Sequence, residues 1–374
     1  MRVLVLCKRQ YTGKDLLDDR YGRLFELPAG LTARGHEVAG LTWSYRRRGA
    51  SYRLDGGVRW WSVDAWPTPF AHPRQLFEIA MKFRPDVIWA SSDAFHALLA
   101  ARLRKKLGLP VVIDLYDDYE SFGLTALPGV HRLFRHACMQ VDALSVVSHA
   151  LASTVQSRLS HAPPIEIIGN GVSEMFGKMP ARDMARKRLG LPMRTQLIGT
   201  AGALDGSRGI DDLLQAFDLL RARLPDIHLV VAGPRDHMFT RALGERVIDL
   251  GILPHSDMPY LYSALDVGIV CNRDSAFGRA CCPQKLVEMI ACGLPVVVTE
   301  VGDAATLLRT FPASLYPPGD SATLARRLEV QLVSAAPLPA TLAPQWSTLS
   351  GTLQALLQEA IDSYRSAPTP WDLK

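Results

Sequence analysis

The sequence predicts an α/β protein of two successive units, each a parallel sheet with helices on both faces. Strand and helix signals alternate along most of the 374 residues. The strand signals are short apolar runs such as Val3 to Cys7 and Val296 to Val298, the pattern of strands covered on both faces. The series halts at the turn pair Asn170-Gly171 and then begins again.

Val3 to Cys7 is the first predicted strand. Leu24, Leu27 and Leu31 recur at helical spacing and predict a helix over 21–34. Further strands are predicted over 37–42, 86–90, 110–114 and 143–147, with helices over 94–107 and 130–140. In the second half, strands over 196–201, 228–232, 267–270 and 296–299 alternate with helices over 211–224, 258–265 and 285–291. A proline-rich break from Pro337 to Pro344 precedes a last helix over 346–361, and the tail from Ala367 is expected to be loose. The expected domains are 1–170 and 171–345, followed by a terminal segment 346–374.

Composition narrows the class. Hydrophobic content of 48% with 21% charged residues is that of a globular chain. The apolar run at the N-terminus is too short for a signal-peptide core or a membrane span, so it reads as a buried strand. Six cysteines occur without a Cys-x-x-Cys pair or a His/Cys metal spacing; Cys7, Cys138, Cys271 and Cys292 read as small buried residues. No disulfide framework or zinc site is expected, and a reducing cytoplasm is the default. The net charge of +5 is clustered at Arg46 to Arg48, Arg102 to Lys106 and His131 to His136. Solvated faces explain such runs, as does attraction to an anionic membrane surface or a phosphate-bearing acceptor; Leu133 and Phe134 among the basic groups suit a headgroup surface. No nucleic-acid motif occurs, so nucleic acid is not an expected partner.

The segment from Cys282-Pro-Gln-Lys-Leu-Val-Glu288 to Gly293-Leu-Pro295 reads as a loop, a helix, a break and a buried strand. Lys285 and Glu288 project from one helix face, and a helix start with a lysine beside it attracts phosphate. Gly199 to Gly209 follows a strand and opens a helix; it is glycine-rich enough for close approach to a diphosphate, with Arg208 able to pair with one. A surface turn with an ordinary arginine is the plain alternative. Asp114-Leu-Tyr-Asp-Asp-Tyr-Glu120 leaves the carboxyl end of a strand, where ligand crevices form; its acids suggest a metal, but no histidine accompanies them. Tyr11, Gly13, Asp18 and Asp19 lie between the first strand and first helix, and a solvated acidic turn reads as well there as a site.

Taken in order, these segments resemble the retaining glycosyltransferases of family 4, whose fold is GT-B: two Rossmann-like domains with parallel sheets facing across a cleft. Residues 283–297 match the family's P-x-K-L-x-E-x-x-A-x-G-x-P-V-V helix. Gly35-His-Glu-Val38, Ile168-Gly-Asn-Gly-Val172 and Leu250 through Asp266 resemble three further family segments in the expected order. The resemblance implies that Glu288 holds the donor ribose. It also implies that Gly202, Arg208, Gly233, Ile252, Cys282, Pro283, Gln284 and Lys285 surround the rest of a nucleoside diphosphate sugar. Arg208, Lys285 and Asp117 are the expected catalytic residues, and Tyr11, Gly13, Asp18, Asp19 and Tyr116 the expected acceptor contacts. Three departures stand out. Ala203 replaces an expected basic residue, Ala280 replaces a sugar-binding glutamate of many relatives, and Asp18-Asp19 fall where relatives carry Gly-Gly.

The implied activity is retaining transfer of a hexosyl-type sugar from a nucleoside diphosphate to a glycan or lipid-linked hydroxyl. Polysaccharide, lipopolysaccharide or glycolipid assembly is the implied setting. No cofactor and no metal are expected, and the location would be cytoplasmic, with peripheral contact to the inner face of the membrane. The departures favour one rival, a non-catalytic sugar-nucleotide-binding or partner subunit; a second, a sugar-nucleotide epimerase of the same fold, lacks an evident acid/base set of carboxylate and histidine in the matching loops.

Overall fold

The computed structural model describes residues 1–11, 13–65, 72–121, 125, 127, 129–235 and 244–366. The tail from Ala367 and the side chain of Tyr11, both singled out above, lie outside the described residues. The chain divides into two compact units. One comprises Met1–Gly169 together with the C-terminal helix Trp346–Ser366, the other Asn170–Gln345.

The first unit holds an eight-stranded sheet. Its strands are β1 (Arg2–Lys8), β2 (Glu37–Ser44), β3 (Ser51–Asp55), β4 (Val58–Asp64), β5 (Val87–Ser91), β6 (Val111–Leu115), β7 (Ala143–Val146) and β8 (Ile165–Ile167), in spatial order β8-β7-β6-β5-β1-β2-β4-β3. All neighbours are parallel except β3, which runs antiparallel to β4. The β3–β4 hairpin and the short β8 were not legible as strands. β3 lacks an apolar run because, at the sheet edge, Tyr52, Arg53 and Leu54 face solvent. Helix Ala94–Leu107 starts where the Asp93 carboxylate accepts from the N–H groups of Phe95 and His96, and ends at Gly108. The C-terminal helix completes this unit's core, burying Trp346, Leu353, Leu357 and Ile361 beside Leu24, Leu27 and Leu31 of helix Arg23–Ala33.

Beneath that core lies a fully buried ion pair. The Arg23 guanidinium donates to both oxygens of Asp114 (2.7 and 3.1 Å) and to the carbonyl of Ile168 (2.9 Å), while Ser91 and Ser145 also donate to the carboxylate. A charge removed from water needs this degree of satisfaction.

The second unit holds a six-stranded parallel sheet of β9 (Leu197–Ala201), β10 (His228–Ala232), β11 (Val247–Asp249), β12 (Val267–Val270), β13 (Val296–Thr299) and β14 (Leu315–Tyr316), in order β11-β10-β9-β12-β13-β14. Val296 and Val298 belong to the core on one face and Val297 to the core on the other. The all-apolar strand therefore reflects helices on both sides.

Among the described residues no helix is long and apolar enough to cross a membrane, and no three metal-ligating side chains cluster. All six cysteines are free thiols. Cys292 is half-buried rather than buried, since it follows the last turn of helix Gln284–Ala291. Phe134 corrects another expectation. It is buried at 5% exposure, leaving Leu133 (57%) as the apolar group on the outer face of helix Val130–Met139.

Candidate active site

Ligands of parallel α/β sheets bind outside the carboxyl ends of the strands. In the second unit β9 runs into Gly202 (φ 101°) and β10 into Gly233 (φ 137°). A Cβ on Gly233 would lie 2.0 Å from the Gly202 carbonyl oxygen, so this backbone-to-backbone approach needs glycine. The Gly202 N–H donates to Ala232 O and the Leu204 N–H to Pro234 O, both at 2.9 Å, which fixes the two strand ends together.

Lys285 reaches this point from the first turn of helix Gln284–Ala291. Its Nζ lies 3.3 Å from Thr200 Oγ1 and 3.9 Å from where a Gly202 Cβ would stand. Burial pushes its pKa from 10.5 down to about 8, and Arg208 acts in the same direction. Arg208 closes the turn Gly206–Arg208; its guanidinium lies 4.2 Å over the Phe277 ring, with Nη1 3.9 Å from Cys281 Sγ. Among the described residues neither cation forms an ion pair with a carboxylate. The helix start between them has Pro283 at its N-cap and no side-chain acceptor for its first N–H groups. Asn170 Nδ2 donates to Cys282 O and Gln284 Nε2 to Gly171 O, each at 2.7 Å, so the loop before the helix is pinned from both sides.

Glu288, one turn further along the helix, is 3% exposed. Its Oε2 accepts from Tyr262 OH at 3.0 Å and its Oε1 from His255 Nε2 at 3.2 Å. A carboxylate has no proton to give, so Nε2 carries the hydrogen. Ile252 is 69% exposed on the loop after β11, where Gly233 N–H donates to Gly251 O at 2.7 Å. Ala280, at the position of the missing glutamate, is buried at the end of helix Ala276–Ala280.

The structure thus gathers Gly202, Gly233, Arg208 and Lys285 at the carboxyl ends of β9 and β10, with Cys282, Pro283 and Gln284 at the adjoining helix start. Sequence reasoning missed His255 and Tyr262. Only their place in the segment 250–266 hinted at them, since neither is near Glu288 in sequence.

The first unit has its own cluster at the ends of β1, β5 and β6. Tyr116 OH donates to Ser92 O at 3.2 Å, and Lys8 Nζ sits 5.8 Å from the Tyr116 ring centroid. Burial lowers the Lys8 pKa against the opposing charges of Asp93 and Asp117. Ser92 is buried with φ 110°, a conformation that non-glycine residues adopt at a cost and that collects at functional sites. Asp93 accepts from Tyr45 OH (2.9 Å) and pairs with His96 Nδ1 (2.7 Å); burial raises its pKa, but these partners hold it well below the usual carboxylate range. Lys8, Ser92, Asp93 and Tyr45 gave no sequence signal.

Asp18 and Asp19 belong to another network. The Asp18 carboxylate accepts from Arg53 (2.7 Å) and Arg9 (3.2 Å), with Arg48 at 3.8 Å, and Asp19 accepts from the Asp15 N–H at 2.6 Å. Arg20 pairs with Asp55 instead. Gly13 is exposed between the short strands Gln10–Tyr11 and Lys14–Asp15. An open cavity of about 680 Å³ is lined by Leu17, Asp18, Arg20, Arg53, Leu54 and Asp55.

Comparison with known proteins agrees with this architecture. Residues 23–171 match the model of the glycosyl transferase 4-like domain, and residues 195–332 that of glycosyl transferases group 1. The chain is 25% identical over 345 residues to a D-inositol 3-phosphate glycosyltransferase of Thermobispora bispora, covering 85% of this chain and 71% of that one. It is 24% identical over 266 residues to a Bacillus subtilis glycosyltransferase named for teichuronic acid biosynthesis, covering 70% of this chain and 66% of the relative. Among solved structures, Anabaena HepE in complex with UDP-glucose superposes with a TM-score of 0.71 at 18% identity, covering 98% of this chain and 100% of that one. Sucrose-phosphate synthase from Thermosynechococcus elongatus gives 0.70 at 18% identity, covering 98% of each. The chain belongs to the family-4 type of GT-B glycosyltransferases.

Proposed function

We propose that the protein transfers a sugar from a nucleoside diphosphate to an acceptor hydroxyl with retention at the anomeric carbon. The observation that carries this reading is the pairing of Lys285 and Arg208, two cations without a carboxylate partner among the described residues, beside the glycine-bounded strand ends and a helix start. A site of that charge suits a diphosphate. Glu288 would serve the ribose, with Gly233 and Ile252 toward the nucleoside and Cys282, Pro283 and Gln284 around the phosphates. The anomeric C–O bond to phosphate breaks, a bond to the acceptor oxygen forms on the same face, and the acceptor proton passes to the departing diphosphate. Lys285 and Arg208 stabilise the charge that grows on that diphosphate. Tyr116 and Asp117, with Gly13, Asp18 and Asp19 further out, would face the acceptor.

A hexosyl donor, metal-independent turnover and a glycan or lipid-linked acceptor complete the proposal. Cytoplasmic placement with peripheral contact to anionic lipid is supported by Leu133 exposed among Arg132 and His136. Thermal-shift screening against sugar nucleotides tests the donor, since a ligand at a hundred times its Kd adds about 2.7 kcal/mol. Slow hydrolysis of the stabilising donor, unaffected by EDTA and giving the retained anomer, supports the enzyme; binding without hydrolysis favours the non-catalytic subunit. Protein that partitions equally onto neutral and anionic vesicles at low salt would remove the lipid part.

A further inference from the structure

We propose that His255 is a positioning residue that orients the Glu288 carboxylate for a vicinal pair of ribose hydroxyls; this rests on the nucleotide-donor reading above. Glu288 sits among buried Leu286, Val287, Met289 and Ile290, where an unpaired carboxylate would be costly. Its two hydrogen-bond partners are unequal. Tyr262 OH approaches Oε2 from inside the unit, with the tyrosine 1% exposed. The His255 side chain is 18% exposed and donates to Oε1, so of the two donors it is the one open to solvent.

The geometry leaves capacity for a ligand. An ionised carboxylate offers about four lone-pair directions. Tyr262 and His255 fill one on each oxygen, so each oxygen retains one for a hydroxyl. With Tyr262 alone the carboxylate could turn about its last side-chain bond, a broad torsion. With both donors in place it is held at two points.

His255 is itself braced. Its ring lies 5.4 Å from that of Phe176, which is 1% exposed and also 6.2 Å from the Tyr262 ring, so one aromatic side chain supports both donors. The turn His255–Asp257 that carries it is tied down by Asp257, whose carboxylate accepts from Arg188 at 2.7 Å, and Arg188 in turn lies 4.5 Å over Tyr260. These contacts fix the imidazole without touching the phosphate side of the site, where Lys285 and Arg208 lie. Recognition of the ribose and of the diphosphate should therefore respond separately to substitution.

The test measures binding of UDP, GDP, their 2′,3′-dideoxy analogues and inorganic pyrophosphate to the wild type, His255→Ala and His255→Gln by calorimetry. For whichever ribonucleotide binds, His255→Ala should weaken affinity about tenfold, the scale of one hydrogen bond to a charged group. His255→Gln, whose amide can still donate, should recover most of it. The dideoxy analogue should lose less than about threefold on His255→Ala, and pyrophosphate should be unchanged, which a general loosening of the fold would not produce. An equal loss for ribo and dideoxy nucleotides, or none for either, overturns the positioning role while the donor reading stands. If neither nucleotide binds the wild type, the donor reading fails first and the inference falls with it.

Discussion

The candidate sites of the two units treat their cations differently, although the second unit also has ion pairs at its strand ends, Arg235 with Asp249 and Arg273 with Asp211. In the first unit the basic side chains have acidic partners close by: Arg9 with Asp15 and Asp18, Arg23 with Asp114, Arg158 with Asp118, and Lys8 within the field of Asp93 and Asp117. In the second, Lys285 rests on a threonine hydroxyl and Arg208 on an aromatic ring and a thiol. A buried cation without an anion is costly, and the Lys285 pKa of about 8 is that cost made visible. The difference teaches which half has cations to offer an anion: under the proposed function the second unit would take the diphosphate and the first, already neutralised, a hydroxyl-rich acceptor.

Removing the waiting charge should have the largest effect. We expect Lys285→Ala to lower the rate of transfer or donor hydrolysis about 10²–10³-fold, the loss seen when one preorganised group stabilising a developing negative charge is deleted. Circular dichroism should show an intact fold, because the lysine's hydrogen bond to Thr200 is long, at 3.3 Å. Near-wild-type turnover would remove Lys285 from the reaction and erase the contrast between the units.

Glu288→Ala comes next. It should weaken nucleotide affinity ten- to a hundredfold while leaving the saturated rate within about threefold, since uniform binding is lost rather than a contact of the transition state. It also strands Tyr262 OH and His255 Nε2 without their acceptor, which should cost about 1–3 kcal/mol of stability, read as a lower Tm. An equal fall in rate and affinity would place Glu288 in the chemistry instead.

Much of this half was legible in the sequence because its signals are local. The segment 283–297 holds a helix start, a break and a doubly buried strand in consecutive residues, and the structure puts each at nearly the expected place. What escaped was the partnership across distance: His255 and Tyr262 meet Glu288 from 33 and 26 residues away. The first half hid more. Its β3–β4 hairpin turns at Gly56-Gly57, both with positive φ, and that glycine pair was the one available sign, since the edge strand carries no alternating apolar face. Ser92 shows nothing in sequence, because backbone strain at a strand end is set by the neighbouring strands and not by the residue.

The pH dependence of binding sharpens the contrast by a smaller amount. In the free protein Lys285 loses its proton near pH 8, and a bound diphosphate should raise that pKa by favouring the charged form. Pyrophosphate or nucleotide affinity should thus hold steady below about pH 8 and fall above it, by at most about tenfold per pH unit for one proton. Stability of the free protein carries the opposite sign. Between about 8 and 10.5 the unfolded chain binds the proton that the folded one has released, so this group makes the fold more stable as pH rises. Calorimetry at a series of pH values would show the decline; an affinity flat to pH 10 would mean that Lys285 is not the phosphate's partner. Lys285→Arg should flatten the profile, because guanidinium stays charged throughout.

The smallest effect is expected at Asp18 and Asp19, where the sequence departs from the resembled Gly-Gly. A bare pair of carboxylates would repel a diphosphate, but Asp18 is held by Arg53 and Arg9 with Arg48 nearby, and Asp19 is held by a backbone N–H. Burial would raise the Asp18 pKa, yet these arginines bring it below its ordinary value. Its contribution to stability is therefore present at neutral pH and lost as pH falls through the acid range. Because the carboxylate is well exposed, solvent and salt screen the network, and the double change Asp18→Asn with Asp19→Asn should cost no more than about 1 kcal/mol. Nucleotide affinity should stay within about threefold, since neither residue belongs to the second unit. If these residues meet the acceptor, its KM should rise in the same preparation. A sharp gain in nucleotide affinity with unchanged acceptor kinetics would mean that the carboxylates act on the donor after all, and that the two units do not divide charge as their ion pairs suggest.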